Sequence, residues 1–289
     1  MHSDDMASRA PSEAMRRGLD KGARDPSVLT PRISVITATR NTAATIATLY
    51  ESLAAQTSRD FEWVVVDGLS SDGTAERLRD LAAANPWIRF VSEEDFGLYH
   101  ALNKALALAS AEYYVVAGAD DTFTPDAVAN YAAASRQAEP DVVLACVMKG
   151  GRRAGGFHPG RAWIGHPRAF GGSHSVGMLF RVDLHRRFGE YSRRFPLLAD
   201  GYFLKTLLRS GSVRFVRADF VAGSFAESGL SNVNKLQVLA ETWQIQMLTE
   251  RFPLLQTALF IGKIMIRYPA VRHELRRIRD RTRPELQSP

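Results

Sequence analysis

Phe61-Glu-Trp-Val-Val-Val-Asp-Gly-Leu-Ser-Ser-Asp-Gly-Thr74 is the stretch whose reading decides the fold. It opens on a run that is apolar but for Glu62 and rich in β-branched and aromatic side chains, the pattern of a strand buried on both faces. Asp67 closes that strand, Asp72-Gly73 supplies turn chemistry, and a helix is expected from there to about Ala84. A carboxylate at the end of an apolar strand, as at Asp67, is placed to accept a hydrogen bond from a base or ribose. Asp72, in an Asp-Gly-Thr turn, reads as an ordinary turn and cap residue.

The same alternation extends in both directions. Upstream, Ile33–Thr39 reads as a strand, and Asn41-Thr42 can cap a helix to about Gln56. Downstream, strands are expected at Ile88–Val91 and Tyr113–Ala117, with a helix between them from Leu98 to Ala109. A helix from about Pro125 and a strand near Val142 follow. Strands alternating with helices predict an α/β, Rossmann-like, mostly parallel sheet with helices on both faces. Ligands bind outside the carboxyl ends of such strands. Thr39-Arg40-Asn41, Asp67-Gly68, Glu93-Glu94-Asp95 and Asp120-Asp121 all fall just after strands and should converge on one edge. The absence of GxGxxG and GxxxxGK[ST] patterns argues against a dinucleotide site and a P-loop. Past about residue 147 the pattern loosens into glycine pairs. Short helices near Val182–Arg187 and Ala199–Arg209 and strands near Val213–Val216 and Phe220–Phe225 are expected there, as a lid and acceptor region on the same core.

The chain has 289 residues, 45% hydrophobic and 24% charged, as in an ordinary globular protein. Its single cysteine, Cys146, lies in an apolar run and reads as a packing residue, so neither a disulfide nor a cysteine-based zinc site is expected. A net charge of +6 suits anionic partners. Residues 1–30, polar, small and of mixed charge, read as a disordered leader and not a signal peptide. With no apolar run of membrane-spanning length, the protein is expected in the cytoplasm or peripherally on the inner face of the cell membrane. A main domain over 31–235 and a C-terminal helical extension over 236–289 complete the division. In that extension an apolar stretch, Leu254–Arg267, precedes Arg272, Arg276, Arg277, Arg279, Arg281 and Arg283. Two readings stay open: a helix lying on an anionic membrane surface, or one packed on the domain with a solvated tail. The tail lacks interleaved aromatics, so nucleic acid is not an expected partner.

Four constellations could carry chemistry. Asp120-Asp121 at a strand's end can ligate Mg2+ or Mn2+, or can cap the helix that follows. Ser92–Lys104 sets acids and a glycine before a helix carrying Tyr99, Asn103 and Lys104, equally a binding loop or a solvated cap. Asp200, flanked by apolar residues at a helix start, is a helix cap or a partly desolvated acid whose raised pKa would suit a general base. His174 lies in a glycine-rich loop, as an acceptor or phosphate contact or a structural residue.

As a set, in this order and spacing, these segments resemble family-two glycosyltransferases of the GT-A fold from about Pro31 to Asn234. Ile33–Asn41 is similar to the family's first strand and nucleotide-binding turn, and Phe61–Thr74 to its second-strand signature. Glu94–Lys104 is similar to the loop of the branch that builds exopolysaccharide, colanic-acid-like and O-antigen chains. Gly118–Asp121 resembles the DxD motif. Ser173-His174 with Phe180-Arg181, then Leu198–Asp200, resembles the distal block that supplies the base. The resemblance implies transfer of a sugar, with inversion, from a nucleotide donor (a UDP-sugar above all) to a glycan or lipid-linked acceptor. It implies that Thr37, Thr39 and Asp67 hold the base, and that Arg40, Asn41, Asp95, Asn103, Lys104 and Gly118 line the nucleotide-sugar site. Asp120 would bind both donor and metal with support from Asp121, and Asp200 would be the catalytic base. Arg40 stands where the family usually carries an aromatic residue, and Gly118 where the first DxD acid would be. Those departures raise a second reading, a non-catalytic nucleotide-sugar binder of the same fold.

Overall fold

The computed structural model describes residues 30–164, 169, 170, 175–225 and 234–266. The leader, His174 and the arginines beyond residue 266 lie outside them. Among the described residues, nine strands form one sheet: β1 (Ile33–Thr39), β2 (Phe61–Asp67), β3 (Ile88–Ser92), β4 (Tyr113–Val116), β5 (Thr122–Phe123), β6 (Val142–Lys149), β7 (Arg152–Ala154), β8 (Met178–Arg181) and β9 (Phe215–Phe225). Their spatial order is β3-β2-β1-β4-β8-β6-β9-β5, with β7 paired to β6. Strands β1 to β4, β6 and β9 run in one direction, and β5, β7 and β8 oppose them.

The two-residue period of the strands divides the core. On β1 and β2, Ile33, Val35, Phe61, Trp63 and Val65 face one side, and Ile36, Val64 and Val66 the other. Helices α1 (Ile46–Ala54), α2 (Thr74–Ala84) and α4 (Ala127–Ala138) cover the first side through Leu49, Leu78 and Val128. Helices α3 (Leu98–Leu108), α5 (Asp183–Phe188) and α6 (Ala199–Ser210) cover the second through Leu102, Leu184 and Phe203. Helix α7 (Lys235–Thr249) adds Ile245 to that second layer.

Two expectations change. The helix after β1 starts at Ile46, because Asn41 takes a left-handed φ of 54° and Thr42–Thr45 make a turn first. The two strands expected over 213–225 are one strand, β9, whose pairing with β6 slips between Leu144 and Cys146 and absorbs extra residues as a bulge. In the second half, β8 inserts between β4 and β6 in the common sheet.

Candidate active site

Strands β1, β2 and β3 end in register, with Thr39 opposite Asp67 and Asp67 opposite Ser92. The ladder continues into the loops. Gly68 N–H donates to Thr39 C=O at 2.9 Å and Glu93 N–H to Asp67 C=O at 3.0 Å. Asp67 itself is fully buried. Its Oδ2 accepts the Ser70 N–H at 3.0 Å and the Ser92 hydroxyl at 2.7 Å, and its Oδ1 accepts the Ser70 hydroxyl. In this geometry the carboxylate, expected at the base, shapes the turn through three accepted hydrogen bonds.

Asn41 Oδ1 accepts the Ser71 N–H at 2.9 Å, while its own N–H donates to Ser70 Oγ at 2.7 Å. It ties the turn after β1 to the turn after β2, in the left-handed conformation that asparagine tolerates. The Thr39 hydroxyl pairs with that of Thr42. Thr37 needs correction: its hydroxyl accepts the Trp63 indole N–H at 3.0 Å inside the core, because it shares the inward face of β1 with Val35. Asp72 behaves as a turn residue, accepting the N–H groups of Ala43 and Thr74 and the Thr74 hydroxyl. Those bonds, led by the hydroxyl, hold its carboxyl below the usual range.

Arg40, Gly68 and Asp95 meet at one point of this edge. A Cβ on Gly68 would lie 2.3 Å from Asp95 Oδ2 and 3.6 Å from Arg40 Cδ, so only glycine lets that carboxylate rest on the backbone. Arg40 is exposed and Asp95 half-buried. Leu69 and Phe96, 55% and 73% exposed, flank the contact as an apolar rim that sequence reading missed. Leu69 carries a signal only in coordinates, a φ of 55° that is strained for its side chain.

The turn after β4 brings two carboxylates over Gly118. A Cβ there would lie 3.0 Å from Asp120 Oδ1 and 3.1 Å from Asp121 Oδ2. Asp121 is buried, accepts the Gly118 N–H at 2.8 Å and has the Ser175 hydroxyl 3.5 Å away. It caps no helix, since α4 starts only at Ala127. No group of three His, Cys, Asp or Glu suited to a metal occurs among the described residues. Two hard oxygen donors at one turn nevertheless fit Mg2+ or Mn2+, which complete their shell with substrate phosphates and water.

Asp200 reaches the same edge through α3, which begins just beyond β3. The Tyr99 hydroxyl, in the first turn of α3, lies 2.7 Å from Asp200 Oδ1, which also accepts the Gly201 N–H at 2.7 Å. Asp200 is exposed, although its neighbours in sequence are apolar. Tyr99, by contrast, is buried, and burial together with the adjacent Asp200 charge pushes its phenol well above 10. It therefore stays a neutral donor that orients the acid. Asn103 also differs from expectation. It is buried, and both ends of its amide bond the Tyr191 backbone, at 2.9 and 3.0 Å. Lys104 pairs with Glu93 at 2.8 Å and donates to Glu94 C=O, holding the loop that carries Asp95.

Beneath Tyr99 lies a buried polar chain. His185 Nδ1 lies 3.0 Å from Gly189 C=O, which can only accept, so Nδ1 carries the proton. His185 Nε2 then accepts from Tyr114 O–H at 2.6 Å, and Tyr114 accepts from Tyr191 O–H at 2.9 Å. Burial lowers the His185 pKa to about 4.

A sheet of this order, with carboxylates gathered at the carboxyl ends of its strands, is that of a GT-A glycosyltransferase. The chain belongs to glycosyl transferase family 2, whose model matches residues 34–220. A PGL/p-HBAD biosynthesis glycosyltransferase of Mycobacterium bovis is 32% identical over 209 residues, covering 70% of this chain and 80% of the relative. Staphylococcus aureus TarS 1-349 in complex with UDP-GlcNAc superposes with a TM-score of 0.59 at 17% identity, over 79% of this chain and 70% of that one. Mannosyltransferase PcManGT from Pyrobaculum calidifontis, in complex with GDP-Man and Mn2+, gives a TM-score of 0.58 at 22% identity, over 86% and 74%.

Proposed function

We propose that this glycosyltransferase inverts the anomeric centre of a nucleoside-diphosphate sugar, a UDP-sugar foremost, while transferring it to a glycan or lipid-linked acceptor of the bacterial envelope or exopolysaccharide. The observation that carries this reading is Asp200: exposed, at the first turn of α6, and oriented by Tyr99 at the edge where the strands end. Its carboxylate would take the proton of an acceptor hydroxyl as that oxygen bonds to the anomeric carbon. The bond from that carbon to the diphosphate breaks on the opposite face, through a transition state of oxocarbenium character. Arg40 and Asp95, which reach solvent beside Gly68, are the groups assigned to the base and ribose. Asp67 and Asn41 hold the turns beneath them. Asp120 and Asp121 would hold Mg2+ or Mn2+, which when bound supplies neutralising charge to the departing diphosphate. A UDP-sugar donor accords with the UDP-GlcNAc complex of TarS, and a biosynthetic role with the name of the mycobacterial relative.

A peripheral membrane location is the second part of the reading. No described helix is long and apolar enough to cross a membrane. Residues 253–266 are helical and expose Leu254, Ile261, Met265 and Ile266 at 88%, 55%, 69% and 83%. The arginine-rich sequence that follows suits anionic headgroups.

A panel of UDP- and GDP-hexoses, read by thermal shift with and without Mn2+ and then by transfer, tests the catalytic reading. One donor should raise Tm in a metal-dependent way, and Asp200→Asn should keep that shift while transfer falls about 100-fold or more. An Asp200→Asn enzyme that turns over like the parent would reject the assigned base.

A further inference from the structure

Helix α7 lies beyond the 34–220 stretch matched to the family, yet it grips the segment that delivers Asp200. Glu241, only 4% exposed, directs Oε2 at the chain just ahead of α6. There it accepts the N–H of Leu197 at 3.0 Å and of Leu198 at 2.9 Å. Gln237 Nε2 holds its other oxygen at 2.8 Å. The Leu197 C=O lies 3.2 Å from the same Tyr99 hydroxyl that reaches Asp200. Burying a carboxylate is costly unless hydrogen bonds compensate it. Those that do so here arrive from the backbone entering a helix, where the helix dipole also favours negative charge.

A second contact joins the same two helices farther from Asp200. Lys205, 1% exposed, pairs with Glu250 at 2.5 Å and donates to Gln246 Oε1. That latch holds α6 against α7 without Glu241. The Glu241 bonds add something else, a fixed position for the backbone immediately before the acid.

We propose that Glu241 is a positioning residue for the base of this transferase. By fixing residues 197 and 198 it sets the Asp200 carboxylate against Tyr99 and toward the acceptor. The inference rests on the assignment of Asp200 as the base. Because it acts on the acceptor side, its loss should lower kcat and spare donor binding.

The test compares Glu241→Ala, Glu241→Gln, Glu250→Gln and Asp200→Asn in the full chain, using the same panel of UDP- and GDP-hexoses. Glu241→Ala should lower kcat about tenfold or more, with KM for the donor within about twofold of the parent. Glu241→Gln keeps an oxygen acceptor for both N–H groups and should stay within about threefold in kcat. Hydrogen exchange at the Leu197 and Leu198 amides should quicken in the alanine variant and not in the glutamine one. Glu250→Gln weakens the same helix pair, so it should lower Tm while leaving kcat near the parent value. If the alanine variant does not fold, Glu241→Met fills the volume without an acceptor and takes its place. An alanine or methionine variant whose amides exchange faster while kcat holds within about twofold overturns the proposal. So does a glutamine variant that loses as much activity as the alanine one. A parent enzyme that transfers from no donor, or an Asp200→Asn enzyme that retains full turnover, instead removes the reading on which the proposal stands.

Discussion

Tyr99 shows how one side chain joins two separated segments. Its ring is packed in the core with Leu102 and Phe203, while its hydroxyl reaches the acid of α6. Tyr99→Phe keeps the ring and removes the donor, so kcat should fall about tenfold with Tm changed by little, in steady-state and melting measurements together. His185 makes a second residue-scale prediction. Its folded pKa, about 4, lies below the ordinary value of 6.5 because the buried imidazole loses its solvation. Between those values the unfolded chain binds a proton that the folded chain refuses, so stability is full above pH 6.5 and drains as pH falls toward 4. From pH 7 to 4.5 the loss from this group should be about 2 kcal/mol, read as urea unfolding free energy. His185→Gln should be less stable at pH 7 but show a shallower decline. An equally steep decline would assign the acid sensitivity to other groups.

At the scale of elements, the position of the two carboxylates after β4 depends on a glycine far along the chain. Strand β5 follows Asp121 directly and lies on β9, with Phe123 opposite Gly223. A Cβ on Gly223 would sit 2.0 Å from the Thr122 carbonyl oxygen, a backbone atom with nowhere to go. Gly223→Ala should therefore cost about 2 kcal/mol in chemical denaturation and weaken metal-dependent donor binding as well. Unchanged affinity in a destabilised variant would show that β5 does not set the carboxylates. Helix α7 belongs to the same argument. Its buried side includes Glu241, Gln246 and Thr249, so it serves as a polar clamp on the main domain as well as an extension of its core.

For the whole molecule, the question is which surface faces the acceptor's environment. Helix 253–266 is anchored by polar contacts on one side, with Gln256 donating to Trp163 C=O at 3.1 Å and Lys263 to Ile164 C=O at 2.8 Å. Its exposed apolar residues lie free of those anchors, so they can be changed without cutting them. Full-length protein should co-sediment with phosphatidylglycerol vesicles and lose that binding in high salt. Leu254→Ser with Ile266→Ser should weaken sedimentation while leaving Tm unchanged. Equal sedimentation of both proteins would reject the membrane surface for this face.

The sequence by itself determined the alternating sheet, because strand period, turn residues and helix starts are local properties readable along the chain. It also determined which loops meet at the carboxyl edge, since a parallel sheet aligns the ends of successive strands. Only the tertiary structure decided what each polar side chain does there. Thr37 and Asn103 look like ligands in one dimension, but their partners are Trp63 and the Tyr191 backbone, distant in the chain. Asp67 is likewise engaged by Ser70 and Ser92. Glu241 gave no local signal, being one acid in a helix, and its two bonds to residues 197 and 198 exist only once α7 has packed against α6. Hydrogen bonds across long sequence separations depend on the folded path of the chain, and residue type and spacing do not encode that path locally.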